Sequence, residues 1–362
     1  MNKNAIKKYA IWARRELIDR VSKKAMRYGI SPDGAADPDA FSVDGRLLSD
    51  TEQRQRRALI ARVAGHGYAQ TMEEAAYTWF NRLTALRFME VNGYLPSHVR
   101  VFTDDAGAFR PQILTEAIHL ELPGLDMEQV YALKEANDEE ALYRCLLIVQ
   151  CNALNDILPG MFQRLGDVTE LLLPDNLLRE GSVIERLISE IPEEDFNDIN
   201  PADGKDGSRI EIIGWLYQYY ITEKHEEVVD PLHGKVVKKD EVPAATQLFT
   251  TDWVVRYLID NSVGRYWIER NPNSALVNEL TYFVKPKDGV IKTIDEKITP
   301  QELSVFDPCV GSGHFLVYAF DVLMKIYVEY GYTEREAATE IVKTIFMVLI
   351  LTDAPHSWLI LL

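Results

Sequence analysis

Apolar side chains recur at helical spacing through most of the first half of the chain. Between Ile6 and Val21, the residues Ile6, Ala10, Ile11, Leu17, Ile18 and Val21 fall near one stripe, with lysine and arginine at other positions. That spacing predicts an amphipathic helix. Residues 29–54 are rich in Gly, Asp, Pro and Ser and read as a loop. A strongly apolar helix is expected from Glu73 to Val91, carrying Tyr77, Trp79, Phe80, Leu83, Leu86, Phe88 and Met89. Asn92-Gly93 should end it, because glycine accepts the left-handed conformation that closes a helix. A further helix is expected over Asp138–Leu154, bounded by Pro159-Gly160. The polar stretch Glu193–Ser208 reads as a loop, Ile210–Tyr220 as a helix, and Glu223–Glu241 as a charged, exposed run. Trp215, Tyr217, Tyr219 and Tyr220 can stack bases, but packing against neighbouring helices is the simpler use of such a cluster.

The pattern changes near residue 303. Leu303, Val305 and Phe306 form a short apolar strand ending in Asp307. A turn with Gly311 and Gly313 follows, then an amphipathic helix from His314 to Tyr330. Strand, glycine turn and helix in this order predict the first unit of a Rossmann-like sheet, in which the chain turns tightly beside a ligand at a helix N-terminus. A dinucleotide fingerprint needs a third glycine where Leu316 stands, and a phosphate-binding P-loop needs lysine where His314 stands. An incidental strand–turn–helix is the plain alternative.

Composition narrows the classes. The 362 residues suffice for two domains, and 47% hydrophobic with 26% charged residues is a globular balance. No run of about 18 apolar residues occurs, so no helix is expected to span a membrane. No segment reads as a signal peptide. Cys145, Cys151 and Cys309 form neither a disulfide framework nor a zinc set, which fits a reducing cytoplasm. The net charge of −17, from 39 basic and 56 acidic residues, argues against a free-standing DNA binder. His119 and Glu121 form His-x-Glu without the Cys-x-x-Cys a zinc deaminase needs, and His225, Glu226 and Glu227 read as a charge run on a loop. No metal site is expected.

Asp307-Pro308-x-x-Gly311-Ser312-Gly313-x-Phe315 resembles the cofactor motif of amino-directed DNA methyltransferases. Upstream, Phe249-Thr250-Thr251 resembles the Phe-x-Thr-Pro segment of the adenine-N6 subgroup, with Asp252 in place of proline. Thr251 also suits the N-cap of a plain helix, and both roles can hold together. The stretches Ala76–Pro96, Ile210–Lys224 and Pro243–Arg265 are similar to the large adenine methyltransferases of BREX phage-defence systems, a likeness that reaches to about Ala338.

The resemblance implies an α/β fold with a large helical N-terminal domain over 1–240. Over 241–362 it implies the start of a Rossmann-like class I S-adenosylmethionine-dependent methyltransferase sheet, incomplete. It implies cofactor contacts from Phe249, Thr250, Thr251, Asp307, Pro308, Gly311, Ser312, Gly313, His314 and Phe315. Implied partners are double-stranded DNA, held through regions absent from this chain, and other BREX proteins. The subgroup grips its flipped-out adenine with Asn/Asp-Pro-Pro-Tyr/Phe. That tetrapeptide does not occur here: Asn271-Pro272-Asn273 and Asn200-Pro201-Ala202 lack the second proline and the aromatic. No catalytic residue is therefore assigned. The C-terminal run Thr344–Leu362 changes character abruptly. As it stands, Ile345–Leu351 reads as a second strand, with Asp353 near its end. Back-translated and read two bases further on, the run gives NIYGLDIDRRAAQLAYFA, similar to the family's next segment. The expectation is a frameshift near Lys343–Thr344, and an isolated chain that binds the cofactor weakly or undetectably and is inactive. The alternative function is a non-catalytic interaction module of the defence complex. A dinucleotide-dependent oxidoreductase is disfavoured by Leu316.

Overall fold

The computed structural model describes residues 1–35, 37–158, 161–162, 168–197, 211–229, 236–237, 241–246, 249–308 and 313–348. The chain divides into two compact units, Met1–Ala245 and Thr246–Ile360.

The first unit is helical because its sequence alternates buried and solvated faces at helical spacing. Its first helix, Lys3–Arg27, buries Ile6, Tyr9, Ala10, Ala13, Leu17 and Val21 along one stripe. Asn2 caps it by accepting from the Ala5 amide. It packs against helices Tyr68–Val91, Val183–Glu190 and Glu211–Tyr220. At the crossing, the Phe80 ring lies 4.4 Å from Tyr220, and Tyr77 lies 5.6 Å from Tyr217. The aromatics of Glu211–Tyr220 thus serve packing, with Trp215 and Tyr220 buried. The long helix ends as expected: Gly93 takes φ 70°, and the Tyr94 amide donates to the Met89 carbonyl at 2.8 Å.

Three loop expectations are corrected. Within 29–54 lie two hairpins of two-residue strands and the start of helix Asp50–His66. That helix begins at a Ser49/Glu52 capping box, a signal hidden inside a polar stretch. Buried Arg56 closes the loop above it by donating to the carbonyls of Tyr28 (2.7 Å) and Asp37 (2.6 Å). In Glu193–Ser208, residues Glu193–Phe196 form a short helix fixed by pairs from Glu193 to Arg87 (2.9 Å) and Arg100 (3.2 Å); 198–208 lie outside the described residues. Thr222–Val228 is helical, and His225 donates through Nδ1 to the Ala244 carbonyl at 2.7 Å. Glu223 pairs with Arg14 and Arg15, while Glu226 and Glu227 are exposed as expected, and 230–235 and 238–240 lie outside the described residues. Helix Glu139–Ala153 forms behind Asp138, while Pro159-Gly160 lie outside the described residues.

The second unit begins with helix Asp252–Ile259, which runs through a π turn at Asp260–Gly264 into helix Arg265–Arg270. Strand Val305–Asp307, helix His314–Tyr330, helix Glu334–Glu340 and strand Phe346–Val348 follow. The two strands pair in parallel, Val305 opposite Phe346 and Asp307 opposite Val348. Parallel strands need a crossover connection, and the two intervening helices supply it. Ile259, Trp267, Leu323, Ile326, Tyr327 and Ala337 form the core of this unit. Among the described residues this unit's sheet has two strands, and Asp353 lies outside them.

Candidate functional site

Strand Val305–Asp307 and helix His314–Tyr330 stand where the sequence places them. Asp307 closes the strand, half-buried, and Pro308 follows in an exposed turn. Gly311 and Ser312 lie outside the described residues. Gly313 adopts φ 84°, ψ 0°, directly before the helix. A side chain there would be strained, so glycine is needed to launch the helix from this turn.

The next residue reaches back across the sequence. His314 Nε2 lies 2.7 Å from the Thr250 carbonyl, a partner 64 positions earlier. A carbonyl only accepts, so Nε2 carries the proton. The imidazole also faces the buried Phe249 ring, 4.3 Å between centroids at 32°. Burial lowers the affinity of His314 for a proton, against the opposing pull of the Thr250 hydrogen bond and of the Asp252 and Asp307 carboxylates. The ring is thus held toward its neutral form.

Thr251 sits at the N-cap of helix Asp252–Ile259, and its hydroxyl makes no capping hydrogen bond. The capping role expected of that hydroxyl is absent. The Thr251 carbonyl instead accepts from the Val254 and Val255 amides at 3.0 and 3.2 Å. Phe315 is half-buried and packs against the core of the unit. Phe249, Thr250 and His314 therefore come together, with Asp307 contributing its charge, and Phe315 lies between the His314 ring, 5.4 Å away between centroids, and the core.

A polar scaffold behind these residues was not anticipated from the sequence. Asp252 accepts from Arg256 at 2.7 Å, and the Arg256 guanidinium lies over the Tyr318 ring at 4.7 Å. The Tyr318 hydroxyl donates to Asp260 Oδ1, and the Tyr282 amide to Oδ2, each at 2.8 Å. Asp260 is fully buried in the π turn. Its signal in the sequence is an acidic residue directly after Ile259, which with Val255 forms the buried face of this helix. π turns recur at functional sites. No group of His, Cys, Asp or Glu suited to a metal ion occurs among the described residues, and His119 is exposed.

No protein-family model matches the chain. The adenine-specific methyltransferase BrxX of Escherichia coli O9:H4 (strain HS) is 38% identical over 93% of this chain and 28% of that protein. The adenine-specific methyltransferase PglX of Lacticaseibacillus casei (strain Zhang) is 38% identical over 95% of this chain and 31% of its own length. The chain thus spans less than a third of the curated relatives it matches.

Proposed function

We propose, for a chain that is PglX-like over nearly its whole length, that it carries the cofactor-binding start of an S-adenosylmethionine-dependent DNA adenine-N6 methyltransferase. The observation that supports this is the junction at His314, where the Phe249–Thr251 segment meets the turn after Asp307. The two parallel strands are then the beginning of a Rossmann-like class I sheet. The whole protein would act on double-stranded DNA in the cytoplasm, within a BREX defence system and beside its other proteins.

The residues present fit such a cofactor. S-adenosylmethionine, when bound, supplies an electrophilic methyl group on a cationic sulfonium. A neutral imidazole adds no repelling charge beside that cation, and burial favours the neutral ring. Asp307 offers a carboxylate at the strand end, able to accept from ammonium or hydroxyl donors. Buried Phe249 would offer the cofactor an apolar, water-excluding contact, and Gly313, with no side chain, would leave room beside it. Thr250, Thr251, Pro308, Gly311, Ser312 and Phe315 complete the set by motif position. None of these residues grips the acceptor base, and Asn/Asp-Pro-Pro-Tyr/Phe does not occur in the 362 residues. This chain by itself is accordingly expected to be inactive. That same absence supports a second reading, a non-catalytic module that docks on other defence proteins.

Saturation-transfer NMR with S-adenosylmethionine tests the first reading, because it detects weak ligands. Transfer to the cofactor's protons should be seen for the chain and lost in Asp307→Ala. Equal transfer in both proteins, or none in either, would overturn it. A micromolar dissociation constant by calorimetry would overturn the expectation of weak binding.

A further inference from the structure

His314 stands at a position that the cofactor motif leaves open, yet it makes the most specific contacts described around the turn. Its Nε2 proton is committed to the Thr250 carbonyl at 2.7 Å. Its ring covers Phe249 at 4.3 Å. It follows Gly313, whose left-handed backbone sets where the helix starts and so where the imidazole reaches. On the other side, the Thr250 carbonyl belongs to the residue that precedes the N-cap of helix Asp252–Ile259. One side chain therefore ties the end of one segment to the start of the helix that follows the glycine turn.

Burial makes that tie worthwhile. A hydrogen bond shielded from water resists exchange with solvent better than an exposed one. The segment at Phe249–Thr251 has no capping hydrogen bond from Thr251 to hold it. Residues ahead of a helix fray unless side chains from elsewhere in the chain anchor them. A site whose walls are set before the ligand arrives spends less ordering entropy on binding.

We infer that His314 is a positioning residue: its Nε2–H and ring pin Phe249 and Thr250 to the glycine-turn helix, so that the Phe249–Thr251 wall is in place before any ligand binds. The inference rests on the proposed function for its purpose, but its structural content does not require the cofactor. His314 acts on a bound ligand through Thr250 and Phe249, and is not the ligand's own hydrogen-bond donor through Nε2.

The test uses the full 362-residue chain without cofactor. Long-range 1H–15N spectra of the histidines should give His314 the Nε2–H tautomer; the Nδ1–H tautomer would overturn the inference. Amide hydrogen exchange at Val254 and Val255, whose amides bond the Thr251 carbonyl, then reports on the wall. His314→Phe keeps a ring and removes the donor, and should speed exchange there by about tenfold. His314→Gln restores an N–H at similar reach and should return exchange to near the parent rate. If His314→Phe exchanges as slowly as the parent, the tie is not what holds the segment. If His314→Gln is as fast as His314→Phe although circular dichroism shows both folded, rescue has failed and the inference falls. Because no cofactor is present, these outcomes are independent of the saturation-transfer experiment that tests the proposed function.

Discussion

At the scale of single residues, proton affinities make two sharp expectations. His314 takes up a proton less readily in the folded chain than in the unfolded one, burial being the main cause. The unfolded ring titrates near its ordinary value of about 6.5. Between the folded value and 6.5, the unfolded chain holds more protons, so stability falls as pH drops through that window. Calorimetric melting of the second unit should therefore shift downward below about pH 6.5, and His314→Gln should flatten the shift. An identical pH dependence in the variant would remove His314 as its source. Cys151 behaves differently: it is buried in the first unit, and burial pushes its thiol up to about 12. Only the thiolate attacks electrophiles. Iodoacetamide at pH 8 should leave Cys151 unmodified in the native protein and alkylate it in urea, as read by mass spectrometry. Both residues were legible as types, but their environments depend on chain segments far away in sequence.

At the scale of elements, buried carboxylates hold irregular backbone in place. Glu90, near the end of helix Tyr68–Val91, accepts from the Val101 and Phe102 amides at 2.6 Å each. It also accepts from the Thr103 hydroxyl at 2.8 Å and from Arg87 at 2.7 Å. Glu90→Ala would strand the buried Val101 and Phe102 amides and remove one of the two carboxylates paired with Arg87. It should lower the stability of the first unit by about 3–5 kcal/mol in urea unfolding; a loss below about 1 kcal/mol would mean that Glu193 alone satisfies Arg87. Asp260 does the same work in the π turn, and Asp260→Ala should cost about 1–3 kcal/mol by leaving the Tyr318 hydroxyl and Tyr282 amide without acceptors. The helices themselves were readable from periodicity and end signals, Asn92-Gly93 above all. The capped start of Asp50–His66 and the short helix at Glu193 were not, because polar residues mark caps and loops alike.

For the whole molecule, charge sets the expectation. A chain of net charge −17 repels phosphate and releases few counterions on binding. Gel-shift titration with a generic duplex at physiological salt should show no complex, and a salt-sensitive complex would place a basic surface on this chain after all. The sequence by itself determined the helical first unit, the order strand–glycine turn–helix, the types of residue at the turn and the absence of the base-gripping tetrapeptide. These are local in the chain: spacing, turn chemistry and motif are written within a few residues of one another. Only the tertiary structure decided that His314 meets Thr250, that Phe315 lies between the His314 ring and the core, that Thr251 leaves its cap unmade and that Asp260 anchors Tyr318. The His314–Thr250 and Asp260–Tyr318 pairings join residues 64 and 58 positions apart. Their partners are chosen by packing, which a one-dimensional pattern does not encode.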